Sequence, residues 1–123
     1  MLGLRTTIYK VPDIAKGKEW YCKAFKAVPY FDQPFYVGFN IGGFELGVMP
    51  YEGEVIPGNS VATYWGVIDI QAQYDRLISL GATAYEAPEN VGGELMTATV
   101  KDPWGNLIGL IYNPDFKIGS NIE

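Results

Sequence analysis

Asp102-Pro103-Trp104-Gly105-Asn106-Leu107-Ile108 is a tight turn that feeds directly into a strand. Proline presets φ at the turn's second position, and glycine accepts the positive φ that closes it. The segments on either side, Leu95–Lys101 and Leu107–Tyr112, are β-branched and apolar, so the turn joins two antiparallel strands. Upstream, Ala82–Ala87 reads as another strand, linked to Leu95 by a long hairpin through Pro88 to Glu94. Gly81 is placed to end a helix over Ile70–Leu80, whose apolar positions Ile70, Tyr74, Leu77 and Ile78 follow helical spacing. Asp69 is its N-cap, because a carboxylate there accepts the unpaired N–H groups of the first turn. A strand over Val61–Ile68 precedes it. The second half is therefore β-α-β-β-β.

The first half reads the same way. Leu4–Val11 is a strand, Pro12 breaks it, and Asp13 caps a helix that carries Ile14, Ala15, Trp20, Tyr21, Ala24 and Phe25 on its apolar side. Gly17 weakens that helix without forbidding it. Val28–Phe31, Phe35–Ile41 and Phe44–Met49 follow as strands, with Pro34 and Gly42-Gly43 marking turns. Pro12-Asp13-Ile14 answers Ile68-Asp69-Ile70, Lys26–Tyr30 answers Gly81–Tyr85, and Phe44-Glu45-Leu46-Gly47 answers Ile108-Gly109-Leu110-Ile111. Three matched landmarks in order make this an internal repeat. The predicted architecture is an α+β single domain over residues 1–123, with one βαβββ unit over 4–50 and a second over 61–113. Residues 51–60 form a loop between them and 114–123 a loosely ordered tail.

Composition excludes several roles. A hydrophobic fraction of 48% supports a packed core. No apolar run approaches the ~18 residues of a membrane span, and the N-terminus has no basic region followed by an apolar stretch. A lone Cys22 forms no internal disulfide, which fits a reducing, cytoplasmic setting. The net charge of −5 and scattered lysines and arginines argue against nucleic acid and mildly favour a cationic ligand. With no histidine, every mechanism that uses a histidine base, triad member or metal ligand is excluded within this chain.

The opening Val11-Pro12-Asp13-Ile14 followed by Trp20-Tyr21, and the closing Asp102-Pro103-Trp104-Gly105-Asn106-Leu107-Ile108, resemble the two signatures of the glyoxalase / bleomycin-resistance / extradiol-dioxygenase (vicinal oxygen chelate) superfamily. With the repeat, the resemblance covers Leu4 to Pro114. It implies two βαβββ units whose curved mixed sheets enclose a cleft, and a homodimer, either side by side or strand-exchanged. Metal-dependent members hold a divalent ion with four His or Glu side chains; the matching positions here are Thr6, Glu45, Ala62 and Gly109. Only Glu45 is a good ligand, so the expectation is no metal, no cofactor, and no glyoxalase or dioxygenase activity.

Strand alternation assigns the remaining faces. Thr7, Tyr9, Val11, Val37, Phe39, Ile41, Leu46, Val48, Thr63, Trp65, Val67, Ile108, Leu110 and Tyr112 point to the helices. The opposite face holds Thr6, Tyr36, Asn40, Glu45, Met49, Ala62, Tyr64 and Gly109, with Trp104 reaching in from its turn. Those nine residues are the predicted ligand-binding cleft. The favoured function is a metal-free small-molecule binding protein that sequesters a drug or metabolite, its ligand cationic or aromatic: the tyrosines stack and Glu45 meets a cation. The alternative is a lyase or other enzyme of the same superfamily. In it a desolvated Glu45 with a raised pKa serves as base, Tyr36 or Tyr64 serves as acid, and a metal is optional. Cys22 lies mid-helix with nothing to activate it and reads as inert.

Overall fold

The computed structural model describes residues 3–51, 53 and 62–115. It divides into two compact units, Met1–Gly58 and Asn59–Glu123. Most of the predicted 51–60 loop, Val61 and nearly all of the predicted tail lie outside the described residues.

The first unit runs β1 (Thr6–Val11), α1 (Ile14–Phe25), β2 (Phe31–Gln33), β3 (Tyr36–Ile41) and β4 (Phe44–Pro50). Its sheet has the order β1-β4-β3-β2; β1 lies parallel to β4 and the remaining pairs are antiparallel. Asp13 caps α1 as its sequence position predicts, accepting from the backbone N–H groups of Ala15 (3.0 Å) and Lys16 (3.2 Å). The helix packs on β3 and β4 through Trp20, Tyr21 and Ala24, over a core of Tyr9, Val11, Val37, Phe39, Leu46 and Val48. Tyr21 stacks on Tyr9 at a centroid distance of 5.3 Å and meets Trp20 edge-on at 4.9 Å. Gly17 has a packing role: a Cβ there would lie 2.7 Å from Val11 Cγ2, so its hydrogen lets helix and sheet approach.

The second unit repeats the order. β5 (Tyr64–Gly66), α2 (Ile70–Ser79), β6 (Thr83–Gly92), β7 (Leu95–Lys101) and β8 (Leu107–Tyr112) form a sheet β5-β8-β7-β6, with β5 parallel to β8. Asp69 caps α2 through Ala72 N–H (3.0 Å), and Gly81 at φ +102° turns the chain out of the helix. The Asp102 turn is held from within. The Asp102 carboxylate is 2% exposed and accepts from Trp104 N, Asn106 N and Asn106 Nδ2 at 2.7–2.9 Å. Among the described residues no helix is long and apolar enough to cross a membrane.

Three boundaries differ from the sequence reading. β2 begins at Phe31 instead of Val28. Lys26 caps α1 in the left-handed conformation, Pro29 has no N–H to give a ladder, and Val28 is left 83% exposed. β5 shrinks to three residues, with Ile68 92% exposed. β6 continues through Pro88 to Gly92, where the sequence suggests a loop. It is an edge strand with register shifts after Ala84, Glu86 and Asn90, and an edge tolerates both a bulge and a proline.

Candidate functional site

On the face of the first sheet away from α1, two rungs of the ladder define the ground plan. One reads Thr6–Glu45–Asn40 across β1, β4 and β3; the next reads Ile8–Gly47–Gly38–Phe31 across all four strands. The glycine pair leaves bare backbone beside the Glu45 side chain. Tyr36 uses that space: its ring lies over Gly47 and its hydroxyl donates to Glu45 Oε1 at 2.9 Å. A Cβ on Gly38 would sit 3.0 Å from Glu45 Oε2 and 3.2 Å from the Tyr30 ring. Both glycines are therefore what admits two phenol rings around one carboxylate.

Three hydroxyls hold Glu45. Thr6 Oγ1 donates to Oε1 at 2.8 Å, Tyr36 donates to the same oxygen, and Tyr30 donates to Oε2 through a short hydrogen bond. These donors stabilise the charged carboxylate, Tyr30 most, and together they outweigh the partial desolvation that opposes them, so the Glu45 pKa lies below its usual value. The same contacts hold both phenols in the neutral form. Burial first, then the bond to Glu45, pushes Tyr36 well above its ordinary value; for Tyr30 the bond to Glu45 leads. The sequence reading allowed Glu45 a raised pKa and a role as base. The carboxyl moves the other way, because the hydroxyl donors, Tyr30 foremost, outweigh the desolvation that would raise it.

A cavity of about 320 Å³ opens at this cluster, lined by Arg5, Thr6, Tyr30, Phe39, Asn40, Gly43, Phe44 and Glu45. Of the predicted cleft residues, Thr6, Asn40 and Glu45 line it, Tyr36 supports it through Glu45, and Met49 is half-buried further along β4 and does not line it. Arg5, Tyr30 and Phe44 were not anticipated. The other four predicted residues belong to the second unit. Tyr64 there lies over Gly109, where a Cβ would meet its ring at 2.6 Å. Tyr64 also stands opposite Gly109 in the parallel ladder, whereas the motif count puts Ala62 in that place. Ala62 is exposed before β5, and Trp104 is half-buried at its turn with its backbone N–H on Asp102.

The donor set does not fit a catalytic divalent ion. The first unit offers one carboxylate, with both oxygens already accepting from hydroxyls, and one neutral Thr6 hydroxyl. Ala62 and Gly109 offer no side-chain donor. Among the described residues no three His, Cys, Asp or Glu side chains are grouped to hold a metal.

Two βαβββ units in tandem, each a four-stranded mixed sheet with one helix, make this an α+β protein. The model of the Glyoxalase/Bleomycin resistance protein/Dioxygenase superfamily matches residues 3–110, and the chain belongs to that superfamily. No curated protein matches it. Among solved structures it is similar to a glyoxalase-related enzyme from Fulvimarina pelagi, with a TM-score of 0.80, 18% identity, and coverage of 98% of this chain and 94% of that one. A superfamily member from Sphaerobacter thermophilus DSM 20745 gives 0.75 at 20% identity, covering 92% and 98%. At such identities the likeness speaks for the fold.

Proposed function

We propose that this protein binds a small molecule carrying a cationic group beside an aromatic or apolar body, without a metal, and so sequesters a drug or metabolite. The observation that carries the reading is the Glu45 carboxylate, kept ionised by Thr6, Tyr30 and Tyr36 on the wall of an open cavity with Tyr30 and Phe44 around it. An ionised carboxylate already oriented by three donors meets a cation at little reorganisation cost. The lowered Glu45 pKa and raised tyrosine pKa values speak against an acid–base pair built from these groups near neutral pH. The chain would act in the cytoplasm as a homodimer; sedimentation should return twice the 13.6 kDa chain mass, and a monomer at all concentrations would remove that part.

The test is calorimetric titration of chelator-treated protein with benzamidinium and with bleomycin. Saturable binding is expected with at least one. Glu45→Gln should weaken it about 10–100-fold, the equivalent of a charge-assisted hydrogen bond of roughly 1.5–3 kcal/mol. Flat titrations with both, or binding indifferent to Glu45→Gln, would end the reading.

A further inference from the structure

Glu45 carries its charge with most of its hydrogen-bonding capacity already used. A carboxylate offers about four lone-pair positions. Oε1 accepts from Thr6 at 2.8 Å and from Tyr36 at 2.9 Å, and Oε2 accepts from Tyr30. Counting donors among the described residues, one position is left, on Oε2 beside the Tyr30 hydroxyl. A neighbouring acceptor on the cavity wall is engaged too: Asn40 Oδ1 takes the Gly43 N–H at 2.8 Å. The cavity itself is about 320 Å³, at the lower end of the roughly 300–1,000 Å³ usual for small-molecule sites. We propose that it takes a quaternary ammonium, a cation with no N–H, in preference to a primary ammonium of the same skeleton. The proposal rests on the small-molecule reading above and narrows its cationic group.

The two kinds of cation ask for different things. A primary ammonium is compact and strongly hydrated, and its three donors need acceptors wherever water is stripped away. At Glu45 it finds one open lone pair. A quaternary ammonium brings no donor and needs only negative charge and the face of an aromatic ring. The charge is held in place by Thr6 on β1 and Tyr36 on β3. The ring is that of Tyr30, which lines the cavity, sits on the bend before β2 and is 64% exposed. It passes over Gly38, where a Cβ would lie 3.2 Å from Tyr30 Cε1. The hydroxyl that ties this ring to Oε2 is one bond from it, so a cation seated against Oε2 is beside the ring as well. Donation of that proton toward a carboxylate also polarises the phenol and makes its ring richer in electrons, which strengthens its pull on a cation. Arg5, also on the wall, turns its carbonyl to the Glu45 N–H (3.1 Å) and its Nη1 to the Gly3 and Leu4 carbonyls (3.4 and 3.3 Å), and none of these contacts occupies Oε2.

Three probes separate charge from N–H groups: choline, 2-aminoethanol and 3,3-dimethylbutan-1-ol. The second has the charge without the methyl groups, and the third has the shape of choline without the charge. Each is titrated into the full chain at low salt and followed by amide chemical shifts in two-dimensional NMR. Choline should bind at least tenfold tighter than either of the others. Glu45→Gln should bring choline down to the level of 3,3-dimethylbutan-1-ol, and Tyr30→Leu, at an exposed position, should remove most of its preference over 2-aminoethanol. If 2-aminoethanol binds as tightly as choline, the selection proposed here is overturned while the cation site stands. A choline preference that Tyr30→Leu does not change would overturn the role given to the Tyr30 ring. Equal binding of choline and 3,3-dimethylbutan-1-ol would overturn both this proposal and the reading beneath it. Silence from all three probes, where benzamidinium or bleomycin binds, would overturn this proposal alone.

Discussion

Glu45 is shaped by residues that have no side chain. Tyr36 reaches it only because Gly47 leaves backbone uncovered, and a Cβ at 47 would collide with the phenol ring and hydroxyl. Gly47→Ala should expel Tyr36 from Glu45 while leaving Leu46 and Val48, its core-facing neighbours, in place. The Tyr36 phenol pKa should then fall toward 10.0 and the Glu45 carboxyl pKa should rise toward 4.5, read by carbon NMR of labelled side chains. Unchanged values would show that the ring lies elsewhere. Strand alternation made Thr6, Tyr36, Asn40 and Glu45 legible in the sequence, because residues two apart share a face. Alternation could not find Arg5 or Tyr30, which lie just outside β1 and β2 and obey no strand period. Nor does a sequence distinguish glycines that weaken a strand from glycines that make room for a neighbour's ring.

At the level of elements, the capping aspartates and the turn aspartate decide where chains start and stop. Asp102 is the deepest of these, and its three N–H partners would be stranded in a half-buried turn if it were removed. Asp102→Ala should cost about 3 kcal/mol in urea unfolding, since charge-assisted bonds are lost and their donors left unpaired. A loss under about 1 kcal/mol would mean that water replaces the carboxylate. The α1–β1 contact sets propensity against packing. Gly17→Ala gains roughly 1 kcal/mol of helix propensity, yet it drives a methyl into Val11, an overpacking of about 1–3 kcal/mol. Net destabilisation is expected, and it should reverse in sign when Gly17→Ala is made on a Val11→Ala background. Both aspartate caps and β7 and β8 were legible, because capping chemistry and apolar alternation are local signals. The ends of β2, β5 and β6 were not. They depend on where a partner strand runs out and on bulges that keep an edge paired past Pro88.

For the whole molecule the repeat was legible in three matched landmarks, and the identical strand orders of the two sheets agree with it. What the repeat hid is a two-residue slip: Thr6 and Ala62 match by distance from the capping aspartates, but the ladder sets Tyr64 against Gly109 as it sets Thr6 against Glu45. Motif counting follows the chain, whereas pairing follows the sheet. The absence of histidine has a consequence for the molecule as a whole. Apart from the α-amino group, no group of ordinary pKa titrates between about pH 5 and 8. The displaced groups move outward from that window. Glu45 has a folded pKa below its ordinary 4.5, so the stability it lends is present above that value and is lost as pH falls through the folded value. Burial raises Cys22 above 9.0, more than the nearby Lys18 lowers it, and Tyr30 and Tyr36 stand above 10.0. For these three the stability is complete below the ordinary value and is lost as pH rises toward the folded one. The urea midpoint should therefore be level from about pH 6 to 8 and fall on both the acid and the alkaline side. Glu45→Gln should flatten the acid limb, and Cys22→Ser and Tyr36→Phe should each make the alkaline limb shallower. A midpoint that moves steeply between pH 6 and 8 in the parent protein would mean that a carboxyl or thiol titrates where this arrangement of donors and burial places none.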